Sequence, residues 1–274
     1  MDKNLTNILS QLYGTDILRY DETFVMNSIL GRIAATNCQS AESYMNLLRQ
    51  DTGERAIFSG SLQNSYSEFF RNTLTFSVLE KIILHEIVLK RNHIKKKVPR
   101  LWSAACAAGQ EAFSLAMLME EIRPAMDEKF QYMLFASDRD ELSVKQAQQG
   151  KFTSEALNNV TFKRLQQWFS FSGKNYTVNT ELINNIQFSV YDLLDERWTS
   201  PPAAIYGGFD LIICSNLLFY YDEKFRKTIL GKISNCLAEG GYLITGEAER
   251  DILMRNGYQE VYPQSCVFIK QIHL

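Results

Sequence analysis

Apolar residues in the first seventy or so positions recur at helical spacing. Leu5, Ile8, Leu9 and Leu12 form one set, Phe24, Ile29 and Ile33 a second, and Tyr44, Leu47 and Leu48 a third. Asn37, Ser40 and Ser43 mark breaks or caps between them. Nothing in this stretch alternates with period two, so the pattern predicts a small all-α N-terminal domain over residues 1–75. From about residue 76 the pattern changes. A helix over Phe76–Lys90 leads into a basic stretch, and then apolar strand-like runs alternate with helix-like runs. The predicted strands are Arg100–Ala105, Met133–Ser137, Ile186–Val190, Phe209–Cys214, Gly241–Gly246 and Cys266–Lys270. The predicted helices between them are Gln110–Glu121, Glu141–Gln149 and Glu223–Cys236. Such alternation implies βαβ units and a mostly parallel sheet over residues 76–274, with ligands at the carboxyl ends of the strands.

One segment departs from the alternation. Residues about 150–185 contain Phe162, Leu165, Trp168, Phe169, Phe171, Tyr176, Val178 and Leu182, with the turn signal Ser-Gly-Lys-Asn at 172–175. It reads as a short helix followed by a small β-hairpin, inserted into the α/β domain.

Composition narrows the class. The chain has 274 residues, is 46% hydrophobic and 22% charged, and carries a formal net charge of −2, so no general basic field recruits nucleic acid. The five cysteines are scattered and form no close pair, which argues against a disulfide framework or zinc site and suits a reducing compartment. With three histidines, a histidine-built metal centre is not expected, and the metal reading is none. The opening residues MDKNLTNILSQLYG lack the pattern of a signal peptide, and no apolar run approaches the roughly 20 residues of a spanning helix. The expectation is a cytoplasmic protein without membrane insertion.

Four motifs carry the candidate chemistry. In LWSAACAAGQEAFSLAM (101–117) a strand ends at small residues that open into a helix, so backbone can approach a ligand at a helix N-terminus. Gly109 is its one glycine, so the GxGxxG of a dinucleotide site is not met and an NAD-type oxidoreductase is disfavoured. In LFASDRDEL (134–142), Asp138 ends a strand where a carboxylate can accept from ribose hydroxyls, while Asp140 reads as a helix cap. Asp192, in FSVYDLLDE (188–196), follows the next strand and fits either a nucleoside contact or a turn. In FDLIICSNLLFYYDE (209–223), Ser215 and Asn216 sit at a strand end, Tyr220 follows in a loop and Tyr221 reads as core. LAEGGYLITGEAE (237–249) then offers Gly240-Gly241 as a tight turn into a strand.

Together with NSYSEFFRN (64–72), these stretches resemble, in order and with matching spacing, the CheR family of chemotaxis receptor (methyl-accepting protein) glutamate O-methyltransferases. The resemblance implies a Rossmann-like S-adenosylmethionine methyltransferase sheet with a small inserted β-hairpin subdomain, preceded by the helical domain. It implies S-adenosylmethionine as cofactor, S-adenosylhomocysteine as product, and a protein glutamate carboxylate as acceptor. It places Ser65, Ser67, Arg71, Glu111, Asp138, Asp192, Leu193, Ser215 and Asn216 around the cofactor, and Arg71 and Tyr220 near the transferred methyl group. An Arg at a domain junction is otherwise most often a structural or solvated ion pair. A glutamate acceptor is ionised at neutral pH and needs neither base nor metal (ordinary pKa about 4.3); the enzyme's task is alignment.

The sequence departs from the family pattern at Ala107, Ala108, Gln110 and Ala112 in the cofactor loop, and at Ser215, where the family carries Arg. The family's basic N-terminal helix corresponds to MNSILGRIAATNC (26–38), which holds only Arg32. The partner expected is thus a protein substrate, either a methyl-accepting receptor or another acidic signalling protein. The alternative is a CheR-like module that binds cofactor or partner without turnover.

Overall fold

The computed structural model describes residues 3–62, 66–93, 98–123, 130–204 and 207–270. Its contacts divide the chain into two units. One comprises Met1–Ser65 with Leu217–Thr228, the other Tyr66–Asn216 with Ile229–Leu274. This division differs from the boundary expected at residue 75, and it also groups Leu217–Thr228 with the first unit.

The first unit holds α1 (Lys3–Tyr13), α2 (Glu22–Thr36), α3 (Ala41–Gln50) and α4 (Thr52–Ser61). Their ends follow from local chemistry. Asp21 caps α2 by accepting from Thr23 N and Phe24 N, and Asn37 ends it in the left-handed conformation at φ 54°. Ser40 and Ser43 form a reciprocal capping box at the start of α3. The apolar stripes meet in a core that includes Leu9, Ile29, Tyr44, Leu48 and Phe58. Inside that core lies the buried Glu54, whose carboxylate takes a two-pronged pair from Arg32 at 2.7 and 2.8 Å and a hydrogen bond from the Tyr44 hydroxyl at 2.8 Å.

The second unit begins with α5 (Thr73–Val78) and α6 (Leu84–His93), joined through a π-helical turn at Leu79–Ile83. Then follow β1 (Arg100–Ala104), α7 (Gln110–Ile122), β2 (Met133–Asp138) and α8 (Glu141–Gln149). The inserted part is β3 (Lys151–Phe152), α9 (Phe162–Trp168), β4 (Phe169–Ser172), β5 (Asn175–Val178) and α10 (Thr180–Asn184). The rest comprises β6 (Ile186–Val190), β7 (Phe209–Ile213), α11 (Glu223–Cys236), β8 (Leu237–Ile244), α12 (Arg250–Arg255), β9 (Tyr258–Glu260) and β10 (Val267–Lys270). The first residues of α11 group with the helical unit.

Seven strands form one sheet in the order β6-β2-β1-β7-β8-β10-β9. β6, β2, β1, β7 and β8 are parallel, and β10 is antiparallel to both its neighbours. β1 and β7 are neighbours in the sheet but lie far apart in sequence, so the strand order reverses between them; their carboxyl ends flank the crevice where such sheets bind ligands. β1 is buried along nearly its whole length, as expected of a strand covered on both faces. α7 is buried almost all round, with Ala112 through Glu120 inside.

Two local expectations are corrected. The inserted part is three-stranded, in the order β3-β5-β4, because the two-residue β3 pairs with Tyr176 and Thr177 of the predicted hairpin. Gly240 and Gly241 lie inside β8, which already starts at Leu237. Gly240 has φ +67°, a Cβ on Gly241 would meet the Phe209 carbonyl at 2.9 Å, and the β7–β8 register shifts here. The glycine pair marks a strand irregularity where the sequence reading had a turn.

Candidate cofactor site

The carboxyl ends of five parallel strands present the candidate residues in spatial order. At the outer end Asp192 follows β6, and its Oδ1 accepts from Leu194 N at 2.8 Å. The neighbouring Leu193 is buried. The Tyr191 amide donates to the Asp138 carbonyl at 2.8 Å, which joins the ends of β6 and β2. Asp138 itself ends β2, as expected. Its Oδ2 accepts from Ala107 N and its Oδ1 from Asp140 N, both at 2.9 Å. Burial pushes its carboxyl above the ordinary range, against the pull of those two amides. A carboxylate offers about four acceptor sites, so two backbone bonds do not exhaust it. Asp140 caps α8 by accepting from Ser143 N.

The loop after β1 is the tightest part of the site. Ala105 (φ 66°), Ala107 (φ 48°) and Gly109 (φ 93°) all lie in the left-handed region. That conformation strains an alanine by roughly 1–2 kcal/mol. Gly109 could not be otherwise, because a Cβ there would lie 2.9 Å from the Ala147 Cβ and 3.1 Å from the Phe113 ring. The loop delivers Glu111 to the first turn of α7.

Glu111 accepts from the hydroxyl of Ser103 on β1 at 2.6 Å and is also hydrogen-bonded by Ser215 beyond β7. Burial pushes its carboxyl up to about 7; the negative charge of Glu249 adds to the rise, while the two hydroxyls and the positive charge of Arg71 oppose it. Among the described residues no cation ion-pairs with it. Ser103, Glu111 and Ser215 are thus joined across the switch point, within the field of Arg71. Arg71 is exposed, with its guanidinium 5.5 Å from the centre of the Tyr66 ring. Ser67 lies half-buried in the same segment. Ser65 lies outside the described residues.

Asn216 ends the β7 turn at φ 57°. Its backbone N–H donates to Glu249 Oε2 at 2.8 Å, and its side chain packs so closely on Gly246 that a Cβ there would lie 2.7 Å from Nδ2. Tyr220 belongs to the helical unit. It closes a 3₁₀ turn, its ring lies 4.7 Å from that of Phe24, and its carbonyl accepts from Asp21 N at 2.8 Å. Tyr221 is buried and stacks on Tyr20, as the core reading expected.

Sequence reasoning missed Ser103, Thr245 and Glu249. A serine inside the apolar strand LWSA was the available signal for the first. For the others it was a Thr-Gly-Glu-Ala-Glu run directly after an apolar strand. Among the described residues no group of three or more His, Cys, Asp or Glu could hold a metal ion, and no helix is long and apolar enough to cross a membrane.

A parallel sheet with an antiparallel last pair and acidic strand ends over its switch point is a Rossmann-like frame, and the family model that matches it makes it that of an S-adenosylmethionine-dependent methyltransferase. The chain belongs to the CheR methyltransferase family: residues 65–265 match the family model described as CheR methyltransferase, SAM binding domain. It is 27% identical over 255 residues to the chemotaxis protein methyltransferase of Escherichia coli (strain K12), covering 90% of this chain and 83% of that one. It is 29% identical over 224 residues to chemotaxis protein methyltransferase 1 of Pseudomonas aeruginosa, covering 80% and 78%. To chemotaxis protein methyltransferase Cher2 of Pseudomonas putida it is 30% identical over 197 residues, covering 70% and 68%.

Proposed function

We propose that this chain transfers a methyl group from S-adenosylmethionine to a glutamate carboxylate of a protein. The observation that carries the reading is Glu111, a buried carboxylate at the switch point that accepts from the Ser103 and Ser215 hydroxyls and, among the described residues, ion-pairs with no cation, within the field of Arg71. That donor set suits an amino-acid end carrying an ammonium and a carboxylate, which Glu111 and Arg71 would respectively hold. Asp138 would accept from the ribose hydroxyls, with Asp192 and Leu193 toward the base, and Ser67, Ser215 and Asn216 completing the pocket. S-adenosylmethionine supplies a methyl group activated on a sulfonium ion. An ionised glutamate needs no general base, so the chain's own contribution is to orient the acceptor and exclude water. Tyr220 and Arg71 are assigned to that orientation. A tight two-pronged Arg pair would dull the attacking oxygen, so Arg71 serves the cofactor carboxylate or the non-attacking oxygen.

Family membership supports the acceptor class, and the chemotaxis relatives support a protein partner of the methyl-accepting or acidic signalling kind. The test is transfer of labelled methyl from S-adenosylmethionine to acidic protein acceptors, read as methanol released by alkali, which is the signature of a carboxyl ester. Alkali-stable label would place the methyl on a group other than a carboxylate and overturn the acceptor. Binding of S-adenosylhomocysteine without any transfer would leave the non-catalytic module as the reading. Asp138→Ala is expected to weaken S-adenosylhomocysteine binding by at least about tenfold; unchanged affinity would remove the ribose assignment.

A further inference from the structure

We infer that Glu249 is a positioning residue of the cofactor site: its carboxylate fixes the strand-end turn that carries Ser215 and Asn216, and sets the charge that Glu111 faces. The inference rests on the proposed reading of this site as the cofactor pocket.

Glu249 is fully buried in the 3₁₀ turn after β8. Three donors converge on its Oε2: Asn216 N at 2.8 Å, Thr245 Oγ1 at 2.8 Å and Gly246 N at 2.9 Å. Three donors on one oxygen call for an acceptor with both lone pairs free, which a carboxylate or amide oxygen provides and an apolar side chain does not. One of the three is the amide of Asn216, a residue held at φ 57°, where a non-glycine residue needs support. The Glu249 bond supplies that support from the next strand. Gly246 has φ −77°, which any residue adopts, so its glycine is demanded by space alone: it lets the Asn216 amide lie against the backbone. β8 is anchored in turn, because Thr245 N donates to the Cys266 carbonyl at 3.1 Å. The turn bearing two candidate cofactor contacts is thus pinned to β8 through one carboxylate.

The same carboxylate bears on Glu111. Glu111 is linked to it through the strand-end turn, since Ser215 hydrogen-bonds Glu111 and the next amide, of Asn216, donates to Glu249, and the charges of Glu249 and Arg71 act on Glu111 with opposite sign. The nearby thiols of Cys106 and Cys214 remain neutral, since burial pushes both far up. Glu249 therefore disfavours a second negative charge in the crevice, against the opposing pull of Arg71, until a further cation arrives there. This couples the pinning of Asn216 to selection of a ligand with an ammonium group.

Two variants separate the two roles. Glu249→Gln keeps an oxygen for the three donors and removes the charge; Glu249→Leu removes both. Each is titrated calorimetrically with S-adenosylhomocysteine between pH 6 and 8.5, with its melting temperature recorded. Glu249→Leu is expected to bind at least about tenfold more weakly at pH 8.5, the loss of a buried charge-assisted acceptor. Glu249→Gln is expected to bind within about threefold of wild type there, with its pH midpoint for binding moved lower. A folded Glu249→Leu with wild-type affinity overturns the inference. An unmoved midpoint in Glu249→Gln also overturns it, and that measurement decides the matter should Glu249→Leu fail to fold. Absence of binding by the wild-type protein is a different result: the cofactor reading itself fails, and the inference falls with it.

Discussion

Glu111 concentrates the electrostatics of the pocket in one side chain, and its behaviour with pH is predictable in sign. Burial raises its carboxyl in the folded protein to about 7. Between the ordinary carboxylate range and that value, the folded chain holds a proton that the unfolded chain has released. Stability contributed by this group is therefore lost as pH rises through that window. Ligand binding runs the other way. An ammonium favours the ionised carboxylate, so S-adenosylhomocysteine affinity is expected to climb with pH and level off above about 7. At one pH unit below the midpoint it should be about tenfold weaker, which is what one unit means in free energy. Glu111→Gln should flatten the profile. Calorimetry between pH 6 and 8.5 measures both, and a flat wild-type profile would sink the assignment. Gly109 gives a second prediction at this scale. Gly109→Ala meets a left-handed φ of 93° and a 2.9 Å contact with the Ala147 Cβ, so a loss of about 2 kcal/mol or more in stability is expected. A melting temperature equal to wild type would show that the loop relaxes freely.

At the scale of elements, one side chain ties the inserted part to the sheet unit. Arg164 on α9 forks onto Glu121 of α7 at 2.7 and 2.8 Å and reaches Glu80 of the π-helical turn at 3.0 Å. Its guanidinium lies 4.5 Å from the centre of the Phe70 ring, immediately before Arg71. Phe70 has φ 49°, and its amide donates to Ser114 Oγ at 3.0 Å. Arg164→Ala is expected to lose about 2–3 kcal/mol, combining charge-assisted bonds with a partly desolvated cation–π contact. Arg164→Lys should recover only part, because an ammonium cannot reproduce the fork. Thermal unfolding of the two variants checks this, and full recovery by lysine would reduce the knot to simple charge. The sequence foretold these elements unevenly, for physical reasons. β1, β2 and β7 and the helices between them were legible because buried parallel strands read as largely apolar runs, whereas β6, with Gln187 and Ser189 in it and Val190 exposed, was legible from its alternation of apolar and polar positions. β3 and β9 have two and three residues, too few for any period, and exist only through their partners. Gly240-Gly241 read as a turn because local signals cannot distinguish a turn from a strand irregularity.

At the scale of the whole chain, the change from helical to alternating pattern was legible, but the grouping of Leu217–Thr228 with the helical unit was not. That grouping rests on long-range contacts: Tyr221 on Tyr20, Tyr220 on Phe24, and Arg226 with Asp21 at 2.9 Å. None of these leaves a periodic trace. Candidate-site legibility had the same limit. Asp138 and Glu111 stand at predicted element ends, whereas Glu249 enters through a turn whose partner lies 33 residues away. The helical unit yields the last prediction. Arg32 holds the Glu54 carboxyl below the ordinary range, against burial and with help from Tyr44. A depressed carboxyl contributes stability above its unfolded pKa and loses it as pH falls through the folded one. Glu54→Gln should therefore melt well below wild type at pH 7, by an amount equivalent to about 2–4 kcal/mol for a buried pair left with one partner. The deficit should shrink steadily below about pH 4, as the wild-type carboxyl also gains its proton. Differential scanning calorimetry of both proteins across that range reads the difference. A deficit independent of pH would mean that Glu54 stabilises the helices through shape and hydrogen bonding, and that its charge contributes nothing.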